Sequence, residues 1–374
     1  MSKFVDFLNE TKSTLVSSCP SKLHIVLGNE ACDLDSAVSA LVYAFLLSSL
    51  QKGEEKKDWV VVPVLNIQQE DYPLKTEVSY WLNKHSITQE HIVFRNELDN
   101  VREKASDVEL TLVDHNVQAI NDKDLEPQVV SILDHHKLER PDPESVRDGI
   151  RIEMVGSCCT LVAEEILEKL PEIMDNTTAS LLYGTIILDT VNLNKEAKRV
   201  TEKDIGICQR LQSHMNLKPS NDDIFRELTA AKSNVSSLTS EQLLRKDVKV
   251  VEGQDVTVAI SSVPMSVKSY LERPDVYETL KLHCANQSYA AIVIMGITIM
   301  EDSVTRDIAV FSENGELKKK VAHHLEGASD GILQLEPLDT SVECILAYNQ
   351  KNHGASRKVV LPLVREWLSE KLGC

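Results

Sequence analysis

Short apolar runs that end at an acidic or polar loop recur through the first half of this 374-residue chain. Three of them cover Leu23–Leu27, Leu110–Val113 and Val129–Leu133. Runs of this length, bounded by polar residues, predict buried strands, and the apolar spacing of Ser36–Ser49 predicts a helix. Strands that alternate with helices predict an α/β fold with a doubly wound, mainly parallel sheet.

Acidic and histidine side chains follow these runs directly. Because ligands bind beyond the carboxyl ends of parallel strands, we expect these side chains to lie at one sheet edge. Carboxylates and imidazoles suit Mg²⁺ or Mn²⁺, and two such ions about 3.5–4 Å apart can clamp a phosphoryl group. Each residue alone has an ordinary reading as a turn or helix cap, so the metal prediction depends on the set. The set is Asp33, Asp35, Asp114–His115, Asp134–His135–His136 and Asp189.

The composition excludes some classes of protein. The chain has 58 Asp and Glu against 40 Lys and Arg, a formal net charge of −18, which argues against binding to a nucleic-acid backbone. Its eight cysteines are dispersed without a CxxC pair, so we expect free thiols. The N-terminal segment lacks the pattern of a secretory signal, and we find no apolar stretch of about 18 residues. We therefore expect no membrane partner and a location in the cytoplasm, with the nucleus as an alternative.

A polar stretch at His214–Asp223 predicts a domain boundary. The strand and helix patterns that follow it predict a second, smaller α/β domain. We divide the chain into a catalytic domain over 1–215, a linker and connecting helix over 216–235, and a substrate-binding domain over 236–374.

Four sequence motifs resemble those of one known family. The chain is similar to the DHH phosphoesterase superfamily over nearly its whole length, and within it to family II inorganic pyrophosphatases and prune-type exopolyphosphatases. The resemblance implies an N-terminal DHH domain, a C-terminal DHHA2-like domain that closes over the substrate, and an active site in the cleft between them. The motifs are Asp134–His136, Gly28–Ser36, Val155–Val162 and Gly184–Asn192.

The resemblance also implies a role for each matched residue. Asp33 and Asp114 would hold one metal ion, and Asp114 would bridge it to a second ion. His136 would contact the substrate and, with Asp114, belong to the catalytic residues. Asn29, His115 and Asp134 are candidates for further ligands or for support of the ligands. The second ion would be held by Asp35, Asp114, His135 and Asp189.

Basic residues in two other segments match the family's phosphate-binding positions. Ser356–Lys358 resembles its Ser-Arg-Lys motif, so Arg357 and Lys358 would bind phosphate oxygens. Lys232 matches a further phosphate-binding lysine. Without the resemblance, Arg357 and Lys358 would read as a solvated pair of basic residues in a loop.

One departure from the pyrophosphatase pattern directs the functional prediction. Family II pyrophosphatases have His where this chain has Asn29, and exopolyphosphatases resemble this chain in having Asn there. We therefore expect an exopolyphosphatase that removes terminal phosphate from short-chain polyphosphate through a metal-bridged hydroxide. The alternatives are a pyrophosphatase, a phosphodiesterase of cyclic nucleotides or dinucleotides, and a non-enzymatic scaffold. The last follows from the resemblance, which implies a nucleoside diphosphate kinase as partner.

Overall fold

The chain divides into two compact units, Met1–Asn234 and Val235–Cys374. The structure is a computed structural model that describes residues 2–18, 20–51, 58–140, 144, 146–216, 220–300, 303–340, 342 and 344–370. The segment predicted as a linker, 216–235, contains helix α8 (Asn221–Ser233), and its residues 217–219 lie outside the described part. This helix buries Ile224, Leu228 and Ala231 within the first unit. The first unit therefore extends past the polar stretch that composition alone marks as a boundary.

The first unit is built on a parallel sheet. Its strand order is β3-β2-β1-β4-β5-β6, and every described pair in it runs parallel. The chain starts in the middle of the sheet, builds outward to β3, and then returns to the other side of β1. The order therefore reverses between β1 and β4, which is where parallel α/β sheets bind ligands. The strands are β1 (Lys22–Leu27), β2 (Val60–Leu65), β3 (Val93–Phe94), β4 (Asp107–Val113), β5 (Val129–Asp134) and β6 (Ile150–Ile152).

Helices cover both faces of this sheet. Along β1, Leu23, Ile25 and Leu27 belong to one apolar cluster, while Val26 belongs to the cluster on the opposite face. A strand buried on both faces explains the continuous apolar run in the sequence. The described α-helices, besides α8, are α1 (Lys3–Ser17), α2 (Leu34–Gln51), α3 (Thr76–Lys84), α4 (Arg95–Arg102), α5 (Cys158–Lys169), α6 (Asn176–Asp189) and α7 (Glu202–Gln212).

Helix α2 corrects one expectation from the sequence. It is 18 residues long and apolar enough, by length and composition alone, to cross a membrane, although we expected no stretch of that kind. However, 72% of it is buried inside the structure, where it packs against β2, α5 and α6. Core helices of globular proteins pass the same test, and the burial of α2 identifies it as one.

The second unit is built on a mixed sheet with the order β11-β12-β10-β9-β8-β7. Strands β8 and β9 are parallel, and the other described pairs are antiparallel. Its strands are β7 (Val248–Glu252), β8 (Thr257–Val263), β9 (Ala291–Met300), β10 (Ser303–Phe311), β11 (Leu335–Leu338) and β12 (Ile345–Gln350). Its α-helices are α9 (Ser240–Lys246), α10 (Val267–Leu271), α11 (Val276–Gln287), α12 (Gly315–Gly331) and α13 (Arg357–Glu370).

The two units confirm the predicted fold class: a doubly wound parallel sheet followed by a smaller α/β unit. The sequence pattern missed several elements, among them helices α1, α4 and α10 and the short strands β3 and β11. The six cysteines that the structure describes are free thiols, as expected.

Candidate active site

Two neighbouring strands place three carboxylates at the point where the strand order reverses. Asp33 and Asp35 follow β1, and Asp114 follows β4, which lies directly beside β1 in the sheet. Asp33 caps helix α2, because its Oδ1 accepts a hydrogen bond from the backbone N–H of Ser36 at 3.1 Å. In the sequence, Asp114 comes 81 residues after Asp33 and 79 after Asp35, and the parallel pairing of β1 with β4 brings their loops to the same edge.

Asp35 is held in place by the first turn of another helix. Its Oδ1 accepts hydrogen bonds from Ser157 Oγ at 2.8 Å and from the backbone N–H of Cys159 at 2.9 Å. Its Oδ2 accepts one from the backbone N–H of Cys158 at 2.7 Å. The N-terminal end of α5 therefore satisfies and orients this buried carboxylate. Oδ2 also lies 3.6 Å from His135 Nε2, which leaves one side of it directed into the site.

Asp114 occupies the centre of the cluster in an uncommon backbone conformation. Its φ of 61° is left-handed, a conformation that Asp tolerates better than most residues. Its Oδ2 accepts a hydrogen bond from Asn29 Nδ2 at 2.8 Å, and its Oδ1 lies 3.1 Å from His135 Nε2. Burial and the charge of Asp35 raise the pKa of Asp114 to about 7. The cluster therefore holds more negative charge than it can stabilise without a cation.

The ring of His135 is oriented as a metal ligand. Its Nδ1 lies 2.9 Å from the backbone carbonyl of Val155, which accepts the Nδ1 proton and leaves Nε2 facing the carboxylates. Metal-binding histidines use this arrangement, because the second hydrogen bond fixes both the tautomer and the ring plane. Burial alone would lower the pKa of His135, but the neighbouring Asp114 and Asp35 raise it to about 10. A positive charge is therefore favoured at this position.

Two carboxylate oxygens test whether the site fits a cation. Asp189 Oδ2 is buried and has no hydrogen-bond partner among the described residues. Asp114 Oδ1 is also buried, and the described residues offer it only ion pairs with His135 Nε2 at 3.1 Å and His136 Nδ1 at 3.8 Å. Asp189 is the last residue of α6, and burial followed by the charges of Asp35 and Asp33 raises its pKa well above the usual range. Buried carboxylate oxygens are normally paired or bound to metal. The donor set fits divalent ions that prefer oxygen and imidazole ligands.

His136 lies beside the cluster but is held by a different carboxylate. Its Nδ1 is 2.8 Å from Oδ1 of Asp134, a fully buried residue whose Oδ2 accepts a hydrogen bond from Asn116 Nδ2 at 2.6 Å. The hydrogen bond to Asp134 raises the pKa of His136. Burial opposes ionisation of Asp134, yet the hydrogen bonds from His136 and Asn116 lower its pKa. Asp134 therefore favours the protonated form of an exposed imidazole at the edge of the site.

The structure places the remaining predicted residues of the first unit around these ligands. Asn29 donates through Nδ2 to Asp114, while its Oδ1 accepts from the backbone N–H of Cys32, so its side chain supports Asp114. His115 Nδ1 lies 2.8 Å from the carbonyl of Val113, and burial lowers the pKa of His115. Burial and the charge of Asp35 raise the pKa of Asp33. The charge of Lys232, near the end of α8, opposes this increase.

Arg357 and Lys358 lie in the second unit, at the first turn of α13. The guanidinium of Arg357 donates from one nitrogen to the carbonyl of Asp247 at 2.9 Å and pairs with the carboxylate of Asp247 at 2.7 Å. The backbone N–H of Lys358 donates to Ser356 Oγ at 3.3 Å, and the side chain of Lys358 is exposed. A helix N-terminus with two adjacent cations is suited to bind phosphate oxygens.

A pocket of about 670 Å³ lies over the cluster in the first unit. It is lined by the carboxylates and His135, and also by Lys137, Lys198 and Arg199, which the sequence analysis did not single out. Between α6 and these last two residues the backbone is left-handed over Val191–Leu193, with φ of 52°, 62° and 56°. Such residues cost about 1–2 kcal/mol each, and strain of this kind often lies near functional sites.

Comparison with known proteins agrees with this geometry. The model of the DHH family, N-terminal domain, matches residues 24–186, and the DHHA2 domain matches residues 226–367. Exopolyphosphatase PRUNE1 of Homo sapiens is 39% identical over 366 residues, which cover 97% of this chain and 79% of the human protein. The chain belongs to the prune family of DHH proteins.

Two more distant relatives place the prune family among phosphoanhydride hydrolases. A putative exopolyphosphatase of Schizosaccharomyces pombe is 30% identical, over 95% of this chain and 93% of the yeast protein. A probable manganese-dependent inorganic pyrophosphatase of Brevibacillus brevis is 27% identical, over 64% of this chain and 69% of the bacterial protein. The predicted relationship to prune-type exopolyphosphatases and to family II pyrophosphatases is thus confirmed.

Proposed function

We propose that this protein is a metal-dependent exopolyphosphatase that hydrolyses the terminal phosphoanhydride bond of short-chain inorganic polyphosphate. The observation that carries the proposal is the convergence of Asp33, Asp35, Asp114, Asp189 and His135 Nε2, with a buried oxygen of Asp189 left without a hydrogen-bond partner among the described residues. Prune-family relatives named as exopolyphosphatases support the choice of substrate.

The five residues of this cluster would hold two divalent ions, Mg²⁺ or Mn²⁺. The ions would supply Lewis acidity to the phosphoryl oxygens and lower the pKa of the attacking water. The protein supplies the geometry. The first turn of α5 fixes Asp35, the carbonyl of Val155 fixes His135, and Asn29 fixes Asp114.

His136 would act on the substrate itself. Asp134 favours the positive charge of its imidazole, which is exposed at the pocket. In this position it can donate a charge-assisted hydrogen bond to a phosphate oxygen and stabilise the charge that develops there. Lys232, Arg357 and Lys358 would neutralise further phosphate oxygens of the chain.

An inorganic pyrophosphatase is the second candidate, because a manganese-dependent pyrophosphatase is among the relatives. The residue at position 29 distinguishes an exopolyphosphatase from an inorganic pyrophosphatase by its chemistry. The amide of Asn29 donates to Asp114 Oδ2, whereas the imidazole at this position in family II pyrophosphatases is the better ligand for a transition metal such as Mn²⁺. A phosphodiesterase and a scaffold for nucleoside diphosphate kinase remain predictions, as does a cytoplasmic or nuclear location.

Phosphate release tests the proposal directly. We would measure it from pyrophosphate, tripolyphosphate and long polyphosphate, and measure AMP formation from cyclic AMP, with Mg²⁺ or Mn²⁺ and with EDTA. The comparison is wild type against Asp114→Asn, with Asp107→Asn at the other end of β4 as the control. Tripolyphosphate should be the best substrate. Asp114→Asn should lower its turnover by about a hundredfold or more, because even residues that only support metal ligands contribute about 10–100-fold. Preference for pyrophosphate or cyclic AMP, or release in EDTA, would contradict the proposal.

A further inference from the structure

We propose that Lys198 and Arg199 form a second phosphate subsite, which binds the part of the polyphosphate chain that extends beyond the carboxylate cluster. The inference rests on the proposed exopolyphosphatase function and adds a determinant of chain length to it. Both residues line the same pocket as Asp33, Asp114 and Asp189, and both are exposed. They therefore form a cationic rim beside an anionic floor, all within the first unit.

The two side chains of this rim have no acidic partner in the part of the chain that the structure describes. Among the residues that the structure describes, neither Lys198 nor Arg199 has an ion pair. Nearby basic residues do: Lys195 pairs with Glu202 at 2.6 Å, and Lys203 binds two other glutamates. In a chain of net charge −18, two adjacent cations without acidic partners at the edge of a pocket are available for an anionic ligand.

The rim is fixed to the site by a buried carboxylate. Asp204 is fully buried and accepts hydrogen bonds from the backbone N–H groups of Gly156 and Thr201 and from the hydroxyls of Thr160 and Thr201. A Cβ atom at Gly156 would lie 2.5 Å from the carbonyl oxygen of Arg199, so the two backbones are in direct contact. Gly156 directly follows Val155, whose carbonyl orients His135. The same backbone segment, Val155–Gly156, therefore supports both the rim and the imidazole of His135.

The backbone conformation of Lys198 shapes the rim as well. Lys198 has a φ of 55°, a left-handed conformation that reverses the chain just before Arg199. The rim is thus a formed turn attached to the pocket wall. A preorganised cation loses less entropy on binding a phosphate than one on a free segment.

The chemistry of the two side chains suits a chain of phosphates. Arg199 can bind two phosphate oxygens at once, and Lys198 adds a point charge. When the terminal phosphate lies at the carboxylate cluster, a third and later phosphate extends toward the pocket rim. Pyrophosphate has no such phosphate. The rim should therefore strengthen the binding of tripolyphosphate and longer chains more than that of pyrophosphate.

The test compares the double variant Lys198→Ala/Arg199→Ala with wild type and with Lys195→Ala. Lys195 is an exposed lysine of the same loop and is the matched control. We would measure KM and kcat for pyrophosphate, tripolyphosphate and a longer polyphosphate with Mn²⁺, at low and high salt. The KM for tripolyphosphate should rise about tenfold or more relative to that for pyrophosphate, the loss expected for a charge-assisted hydrogen bond. The dependence of the tripolyphosphate KM on salt should also become weaker.

An equal change in KM for both substrates, no change for either, or the same change in Lys195→Ala would overturn the subsite. Failure of the proposed function has a different signature, since wild type itself would then prefer pyrophosphate or cyclic AMP, or release no phosphate from any chain. In that case the binding of tripolyphosphate to the two proteins, measured by calorimetry, decides the question. Equal affinities would exclude the subsite.

Discussion

The free energy of unfolding of the metal-free protein should fall as the pH rises from about 4 to about 7. The cause is Asp114, whose pKa is raised from 3.8 to about 7 by burial and by Asp35. A group with a raised pKa in the folded state stabilises that state below its unfolded pKa. The stabilisation is lost as the pH rises through the folded pKa. The cluster thus destabilises the protein under the conditions in which it would bind metal.

The magnitude follows from the same two pKa values. The difference between 3.8 and about 7, at about 1.4 kcal/mol for each pH unit, corresponds to about 4 kcal/mol. Globular proteins are stable by about 5–15 kcal/mol in total, so this loss is large enough to measure. A divalent ion bound by the ionised cluster should reverse it. Free metal at a hundred times its dissociation constant adds about 2.7 kcal/mol.

Urea unfolding of the first unit provides the assay. The chain has three tryptophans, so a Trp367→Phe background reports only on Trp59 and Trp81, both in the first unit. We would compare wild type, Asp114→Asn and the control Asp107→Asn at pH 5, 6 and 7, with EDTA or Mn²⁺. In EDTA, Asp114→Asn should show a weaker pH dependence than wild type and be more stable than wild type at pH 7, while the raised pKa of Asp189 leaves a remaining dependence of the same sign. With Mn²⁺ the order should reverse.

The reasoning is wrong if metal-free wild type is equally stable at pH 5 and pH 7. It is also wrong if Asp114→Asn follows the same pH dependence as wild type. A change common to Asp107→Asn and Asp114→Asn would assign the effect to the general negative charge of the chain.

Four further substitutions test individual parts of the site. Asn29→His should raise the rate of pyrophosphate hydrolysis with Mn²⁺, because imidazole binds Mn²⁺ better than an amide does and the amide donor to Asp114 is removed. Unchanged steady-state rates of pyrophosphate hydrolysis would refute this. Arg357→Ala should raise the KM for tripolyphosphate about tenfold, as for a lost charge-assisted hydrogen bond. Asp247→Asn should change that KM less than about threefold, since exposed ion pairs contribute about 0–1 kcal/mol; equal effects would contradict the assignment. Gly28→Ala should lower stability by about 1–3 kcal/mol and reduce kcat, because the new Cβ collides with Ser36; a thermal midpoint and kcat like wild type would contradict it.

The positions of the candidate site residues could be predicted because they depend on a simple pattern. A buried parallel strand is a continuous apolar run, and the residue after it lies at the sheet edge. Asp114 and Asp134 are therefore recognisable from the sequence, and so are Asp33 and Asp35. Asp189 also follows an apolar run and belongs to the same predicted set, although the structure shows that it ends a helix rather than a strand.

Other features of the site depend on contacts that no local pattern encodes. The orientation of His135 requires a carbonyl 20 residues away, and the support of Asp35 requires the first turn of α5. Lys198 and Arg199 follow a left-handed stretch that Val191 and Leu193 would not predict, since such residues avoid that conformation. A search for basic residues next to the segment that follows Asp189 could have found them. The polar stretch before α8 predicts a domain boundary, but α8 belongs to the first unit. Composition alone gives no information on where the helix after a polar stretch packs.

The binding of Mn²⁺ to the metal-free protein, followed together with tripolyphosphate hydrolysis, tests the central claim most directly. Electron paramagnetic resonance and calorimetry would give the number of ions and their proximity, for wild type and for Asp189→Asn. We expect two neighbouring ions per chain and hydrolysis that appears as the second ion binds. Asp189→Asn should lose both the second ion and the hydrolysis. Full hydrolysis with one ion or none, or two ions retained by an inactive Asp189→Asn, would contradict the central claim.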